Sequence, residues 1–338
     1  MDLTTLIDAG LTGSAPTRSA CRALLQTPDD DLLPLLHAAF CVRKHYFGHR
    51  VQIHVLKNAK SGLCPEDCHY CSQSSVSDAP IDRYPLRPKA EIVSDALSAH
   101  SGGAMRYCIV NSGRGPTDGE VGAVCEAVEE IKQTVDIDIC CCLGLLSESQ
   151  AHQLKFAGVG RVNHNLNTSQ NHHDTICTTH TYEDRIRTLQ IVKEAGLATC
   201  SGGILGMGES PEDILDLAFA LRDIGADSIP VNFLHPIDGT PLSGREDLTP
   251  RDCLRILCLF RFVNPTREIR VAGGRERNIR SLQPLSLYPA NSLFMEGYLT
   301  TDGQGANETH QMIEDLGFQI DQGTPSPATD FVDTISIA

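Results

Sequence analysis

The chain contains no apolar run approaching the roughly 20 residues that a bilayer-spanning helix needs, which excludes a transmembrane helix. It also lacks a basic excess. Lys and Arg number 28 against 43 Asp and Glu in 338 residues, a formal net charge of −15. That balance argues against a general nucleic-acid binder, which needs a cationic surface to displace counterions from phosphates. Basic residues are missing from the opening MDLTTLIDAGLTGS, and no signal-peptide core follows, so the expected compartment is the cytosol. Tryptophan is absent and aromatics make up 5%, a shortage that excludes no fold class. The apolar share of 41% is ordinary, and the length suits one large or two small domains with a well-buried core.

Cysteine is abundant instead, at 14 residues. In a reducing compartment these are expected to be free thiols, so metal or cluster ligation is the leading reading rather than a disulfide framework.

Residues 1–45 read as a helical extension, with Thr17 as the cap of a first helix and Thr27-Pro28-Asp29-Asp30 opening a second. Beyond them β-like runs alternate with helical ones. The β-like runs are Val51–Leu56, Arg106–Val110, Ile137–Cys142, Arg161–Asn165, Thr199–Leu205, Ser228–Phe233, Ile269–Val271 and, more weakly, Ser292–Met295. Amphipathic stretches include Glu120–Gln133, Tyr182–Ala195, Pro211–Ile224 and Pro250–Phe262, with Ser210 and Thr249 as N-caps. Such alternation is the pattern of parallel βα units, and the number of units favours an α/β fold closed as a (β/α)8 TIM-type barrel over residues 46–320. An open doubly wound sheet is the alternative. Residues 321–338, rich in Thr, Ser, Pro and Asp, read as a poorly ordered tail.

After the first strand comes Cys64-Pro-Glu-Asp-Cys68-His-Tyr-Cys71. Three thiols this close in one loop can converge on a single metal or cluster. Zinc usually takes a second Cys or His pair downstream, and none follows at that spacing. An iron–sulfur cluster held by three thiolates leaves one iron open for a further ligand. Cys108, Cys140 and Cys200 lie on strand candidates, where each alone reads as a small core residue. Together they would meet at a barrel axis, where Arg270 would add a cation. A buried Arg needs an anionic neighbour, and a thiolate-held cluster meets that need. Within Cys140-Cys141-Cys142, strand alternation lets both Cys140 and Cys142 point inward.

The C-x3-C-x2-C triplet with Tyr70 before its last Cys, and the Gly-rich Gly202–Glu209 run, resemble the radical S-adenosylmethionine superfamily. SGLCPEDCHYCSQSS, RYCIVNSGRGP, CLGLLS, NHNLNTS, TTHTYEDR, CSGGILGMGES, PVNFLHPIDGTPL, IRVAGGRE and GYLTT occur in the order found in the biotin synthase family, a resemblance covering about residues 30–316. The resemblance implies a 4Fe-4S cluster on Cys64, Cys68 and Cys71, and an auxiliary 2Fe-2S cluster on Cys108, Cys140, Cys200 and Arg270. It implies S-adenosylmethionine contacts from Tyr70, Asn165, Asn167, Arg185, Ile204 and Glu209. Substrate contacts would come from Asn163 and Asn232, on the ureido group of dethiobiotin, and from Thr300 and Thr301, on its carboxylate. Some family members carry an acid at position 167 and two tyrosines at 161–162, and many carry a serine at 272, so Arg161, Val162, Asn167 and Ala272 are departures.

The activity so implied is radical insertion of sulfur into dethiobiotin to form biotin, initiated by a 5′-deoxyadenosyl radical, with the auxiliary cluster as sulfur source. A flavodoxin or ferredoxin electron donor and a homodimer are implied on the same ground. The alternatives are another radical S-adenosylmethionine barrel, maturase- or mutase-like, and a non-enzymatic iron–sulfur protein. Cys21, Cys41, Cys125, Cys177, Cys253 and Cys258 read as structural or incidental thiols.

Overall fold

Helix starts are written into this sequence as reciprocal caps. Thr117, Ser147, Thr181, Ser210 and Thr249 each accept from a backbone N–H in the first turn, and Glu120, Gln150, Asp184, Asp213 and Asp252 reach back to the cap. Such a box satisfies two of the N–H groups that every helix start leaves open, at about 1 kcal/mol per cap. In a computed structural model, which describes residues 2–301 and 303–321, these caps open helices on the outside of a sheet. The tail from 322 onward lies outside the described residues.

Ten strands form the sheet among the described residues. They are β1 (Arg50–Lys60), β2 (Arg106–Asn111), β3 (Asp138–Cys142), β4 (Arg161–Asn163), β5 (Ala198–Cys200), β6 (Gly203–Leu205), β7 (Ser228–Phe233), β8 (Glu268–Val271), β9 (Ser292–Phe294) and β10 (Gln319–Ile320). Every pairing between them is parallel, and β9 closes onto β1 through Gln52↔Ser292 and Ile53↔Leu293. β5 and β6 act as one stave, both pairing with β7, so the closed wall has the eight staves expected of a (β/α)8 barrel.

The run expected as one strand over Thr199–Leu205 breaks at Ser201-Gly202 because Gly202 lies against the backbone of Pro230. A Cβ there would fall 2.8 Å from the Pro230 carbonyl carbon and 2.9 Å from its Cδ. β10 was not anticipated. It is two residues long and pairs with the start of β1 by Arg50↔Gln319, outside the closed wall.

Three N-terminal helices, α1 (Leu3–Leu11), α2 (Arg18–Leu25) and α3 (Leu32–Phe47), precede the barrel. Thr17 caps α2 rather than a first helix, since Asp2 caps α1 ahead of it. All three pack on the helix Pro250–Val263. That helix departs from the amphipathic expectation: every residue from Cys253 to Val263 is buried, because α1–α3 cover the face that would otherwise meet solvent. Its two buried arginines are matched accordingly. Arg255 pairs with Asp29 and Asp252, and Arg261 donates to the carbonyls of Pro289, Pro265 and Arg267.

Alternation along the strands sorts side chains between two cores. Val55, Ile109 and Cys141 face the layer between sheet and helices, whereas Leu56, Cys108 and Cys140 face the barrel axis as a separate buried group.

Candidate active site

The triplet loop is held by its own acids. Asp67 accepts from the backbone of Thr178 at 2.9 Å and of Thr179 at 3.3 Å, while Glu66 accepts from the Thr179 hydroxyl at 2.8 Å and from His180. His69 N–H donates to Ile176 O at 2.9 Å, and Gln73 accepts from Gly62 N–H at 2.9 Å. The entry to the loop uses left-handed backbone at Gly62 (φ 67°) and Leu63 (φ 56°), which turns the chain sharply out of β1. So anchored, Cys64, Cys68 and Cys71 line one cavity of about 290 Å³ at the C-terminal ends of the strands.

All three are free thiols. Burial raises the Cys64 thiol and pushes Cys71 up to about 11. Cys177, read from the sequence as incidental, stands 3.7 Å from Cys68 Sγ and 3.3 Å from His180 Nδ1. No spacing signal marks it, because the contact joins loops more than 100 residues apart.

The strand thiols lie deeper in the same cavity. Cys108 and Cys140 are register partners across β2 and β3, Asn163 is the partner of Cys200 across β4 and β5, and Pro230 that of Arg270 across β7 and β8. Cys142 also lines the cavity and Cys141 does not, as alternation requires. Arg270 is fully buried, with Nη1 3.7 Å from Cys200 Sγ and Nη2 donating to the Ser228 hydroxyl at 2.8 Å.

The anion expected beside Arg270 is, however, a side chain. Glu268, two residues earlier on the same face of β8, pairs with it directly. Burial works to raise the Glu268 carboxyl, but the guanidiniums of Arg270, Arg161 and Arg106 together hold it well below the usual carboxylate range. Arg161 donates to Glu268 at 2.6 Å, so this residue faces the barrel interior. The Glu-Ile-Arg alternation at 268–270 was the signal that sequence reading passed over.

The polar rim is partly committed. Asn163 Nδ2 donates to Asn165 Oδ1 at 3.1 Å and contacts Cys200 Sγ at 3.2 Å. Asn167 adopts φ 70°, tolerable for Asn, and its amide lies 2.5 Å from the Tyr70 hydroxyl. Arg185 donates to Asn165 O at 2.7 Å and meets His180 Nε2 at 2.5 Å, with its Nε buried and unpaired. Asn232 spends both ends of its amide on backbone, donating to Gly203 O and accepting from Gly273 N–H, each at 2.9 Å. Thr300 meets Ser72 at 2.8 Å, and Thr301 donates to Tyr298 O at 2.8 Å. Ile204, Thr300 and Thr301 line the cavity. Glu209 is not among the lining residues: its carboxylate accepts from Gly206 and Met207 N–H at 2.6 and 2.7 Å and shapes the turn behind them.

The donor sets fit two iron–sulfur clusters. Three free thiols on one loop suit a cluster with an open iron. The inner set combines three thiols with an arginine whose Nε is buried without a partner, in a chamber of surplus positive charge. A sulfur-rich anionic group satisfies both needs.

Comparison with known proteins agrees with this geometry. Residues 59–221 match the Radical SAM superfamily, and residues 230–319 match the Biotin and Thiamin Synthesis associated domain. The chain is 55% identical over 316 residues to a biotin synthase of Lysinibacillus sphaericus, covering 94% of this chain and 95% of that protein. It is 54% identical over 316 residues to the biotin synthase of Bacillus subtilis (strain 168), covering 94% of each. In fold it is similar to methylornithine synthase, with a TM-score of 0.83 at 21% identity over 94% of this chain and 97% of the other. The FeFe-hydrogenase maturase HydG from Carboxydothermus hydrogenoformans is also similar, with a TM-score of 0.80 at 17% identity, covering 95% of this chain and 80% of the other.

Proposed function

Because the chain belongs to the biotin synthase family, we propose that its cavity carries out radical insertion of sulfur into dethiobiotin to form biotin. It is an enzyme of the sulfurtransferase class that uses a 4Fe-4S cluster and S-adenosylmethionine. The observation that carries the reading is the pairing of two thiol sets in one cavity, the loop triplet outside and the strand thiols beside Arg270 within.

In this reading Cys64, Cys68 and Cys71 hold the 4Fe-4S cluster, and Cys108, Cys140, Cys200 and Arg270 hold an auxiliary 2Fe-2S cluster whose sulfide is a substrate. When bound, the outer cluster with S-adenosylmethionine supplies a 5′-deoxyadenosyl radical by reductive cleavage. The chain's own residues bind, orient and exclude water. Arg185, with its unpaired Nε, offers a fork to the methionine carboxylate. Tyr70 and Ile204 flank the adenine, Glu209 supporting that edge through its turn, while Asn165 and Asn167 face the ribose. Asn163 presents its carbonyl oxygen to an ureido N–H, its amide nitrogen being already engaged. Asn232 contributes through the remaining lone pair of its oxygen, and by keeping Gly203 and Gly273 in place. Thr300 and Thr301 offer hydroxyls to the substrate carboxylate at the mouth.

Residues 1–45 serve as a helical extension and 46–320 as the catalytic barrel. A flavodoxin or ferredoxin delivers the electron, and the active form is a cytoplasmic homodimer. No described helix is long and apolar enough to cross a membrane.

Iron and acid-labile sulfide analysis of anaerobically prepared protein, followed by a 5′-deoxyadenosine assay with and without dethiobiotin, tests the proposal. The expected result is two clusters per chain and nucleoside formation coupled to biotin. Zinc alone, or no cleavage of S-adenosylmethionine under strong reductant, would overturn it.

A further inference from the structure

Beneath the strand thiols the barrel holds a buried charge group of which the proposed reaction uses only Arg270. Glu268 is fully surrounded: Arg270 pairs with it directly, Arg161 lies at 2.6 Å, Arg106 at 3.4 Å, His54 at 3.3 Å and the Ser292 hydroxyl at 2.9 Å. His54 is neutral, because burial and then Arg270 hold its basicity well below the ordinary histidine range. The buried group therefore sums three guanidinium charges against one carboxylate. The second carboxylate nearby, Asp138 at 2.9 Å from Arg106, is half exposed and reduces the surplus to one positive charge.

An uncompensated buried charge is strongly disfavoured, so a surplus of this kind implies an anion in the chamber it faces. That chamber contains Cys108, Cys140 and Cys200, and Arg270 lines it with Nη1 3.7 Å from Cys200 Sγ. A doubly positive 2Fe-2S core with three thiolates carries one negative charge, equal and opposite to the surplus. The geometry has a second consequence. Glu268 and Ser228 both take the Nη2 side of Arg270, leaving Nη1 on Cys200 Sγ and Nε without a partner.

We propose that Glu268 is the positioning residue of the auxiliary cluster: it clamps one side of Arg270, aims the other at the cluster, and sets the charge of the chamber to match it. The inference rests on the function proposed above. Glu268 is not among the residues lining the cavity and acts through Arg270.

The test compares the parent with Glu268→Gln, with Glu268→Asp, and with the double variant Glu268→Gln/Arg161→Met, which removes one charge of each sign and keeps the chamber balanced. The readouts are the visible absorption and reduction potential of the auxiliary cluster, iron and sulfide content, and 5′-deoxyadenosine formation. In Glu268→Gln, S-adenosylmethionine cleavage by the outer cluster is expected to persist. The auxiliary cluster is retained roughly 10- to 100-fold more weakly, the range seen for outer-shell partners of metal ligands. Whatever remains shows altered absorption and a higher potential, since a negative charge has been removed. Glu268→Asp gives an intermediate shift.

Should Glu268→Gln not fold, the double variant decides, since it too deprives Arg270 of its carboxylate; should neither fold, the Asp variant decides. A folded variant among these with auxiliary absorption, potential and sulfide equal to the parent's overturns the proposal. A parent that takes up only the outer cluster contradicts the underlying functional reading instead, and the two failures are thus distinguished.

Discussion

The three consecutive cysteines of β3 allow a test in which chemistry is held constant and only the facing changes. Cys140 and Cys142 line the cavity, whereas Cys141 is fully buried between sheet and helices among Ile109, Val124 and Val162. Replacing Cys141 by Ala removes one sulfur atom from a packed apolar layer. Loss of one group of about methylene size, plus a small cavity term, costs about 1–2 kcal/mol. The cluster-free Cys141→Ala chain is therefore expected to unfold a few degrees lower, with both clusters assembling as in the parent. Cys140→Ala leaves its gap in a chamber already hollow, so its cost in the cluster-free chain is smaller. Its effect falls on cluster content: iron and sulfide drop from about six to about four of each per chain, the outer cluster alone remaining. The assays are thermal unfolding of the cluster-free chains and iron and sulfide analysis after anaerobic reconstitution. Loss of sulfide in Cys141→Ala with retention in Cys140→Ala would refute the facing assignment and the strand register that underlies it.

Three further outcomes are expected. Cys64→Ala abolishes S-adenosylmethionine cleavage, read as 5′-deoxyadenosine under strong reductant, and full biotin yield from that variant would remove the triplet from the mechanism. Gly202→Ala forces β5 and β6 away from the Pro230 backbone, costs at least about 1–3 kcal/mol as overpacking, and lowers auxiliary-cluster content because Cys200 and Arg270 stand on either side of that seam; unchanged melting and sulfide would contradict it. The third concerns pH. Burial tends to raise the Glu120 carboxyl, but Lys60 at 2.7 Å and the Thr117 cap outweigh it and lower it overall. A depressed carboxyl contributes stability above its ordinary value and loses it as pH falls through the folded one. Glu120→Gln is thus expected to cost about 0.5–1 kcal/mol at neutral pH, with the difference shrinking below pH ~4 in denaturant titrations; a gap that widens on acidification would reverse the sign.

Local chemistry made much of this molecule legible before its fold was seen. Period-2 runs, reciprocal caps such as Ser210 with Asp213, and glycines ending helices at 158, 196 and 225 are properties of short segments, and each appears where the segment alone dictates it. The triplet was equally legible, since its thiols share one loop.

Other features depend on residues far apart in the chain. The helix Pro250–Val263 carries an amphipathic pattern yet is buried all round from Cys253 onward, because the helices before residue 48 cover it. Cys177 joins Cys68 from another loop, and Glu268 collects arginines from β2, β4 and β8. The amino-acid order by itself determined the βα alternation, the cap positions and the thiols able to bind a cluster, since these rest on backbone preference and spacing within a few residues. Only closure of the sheet decided which of the three cysteines face inward, where the broken fifth stave turns, and which side chain answers Arg270. Those are questions of register between strands, and register is set by the whole barrel closing at once.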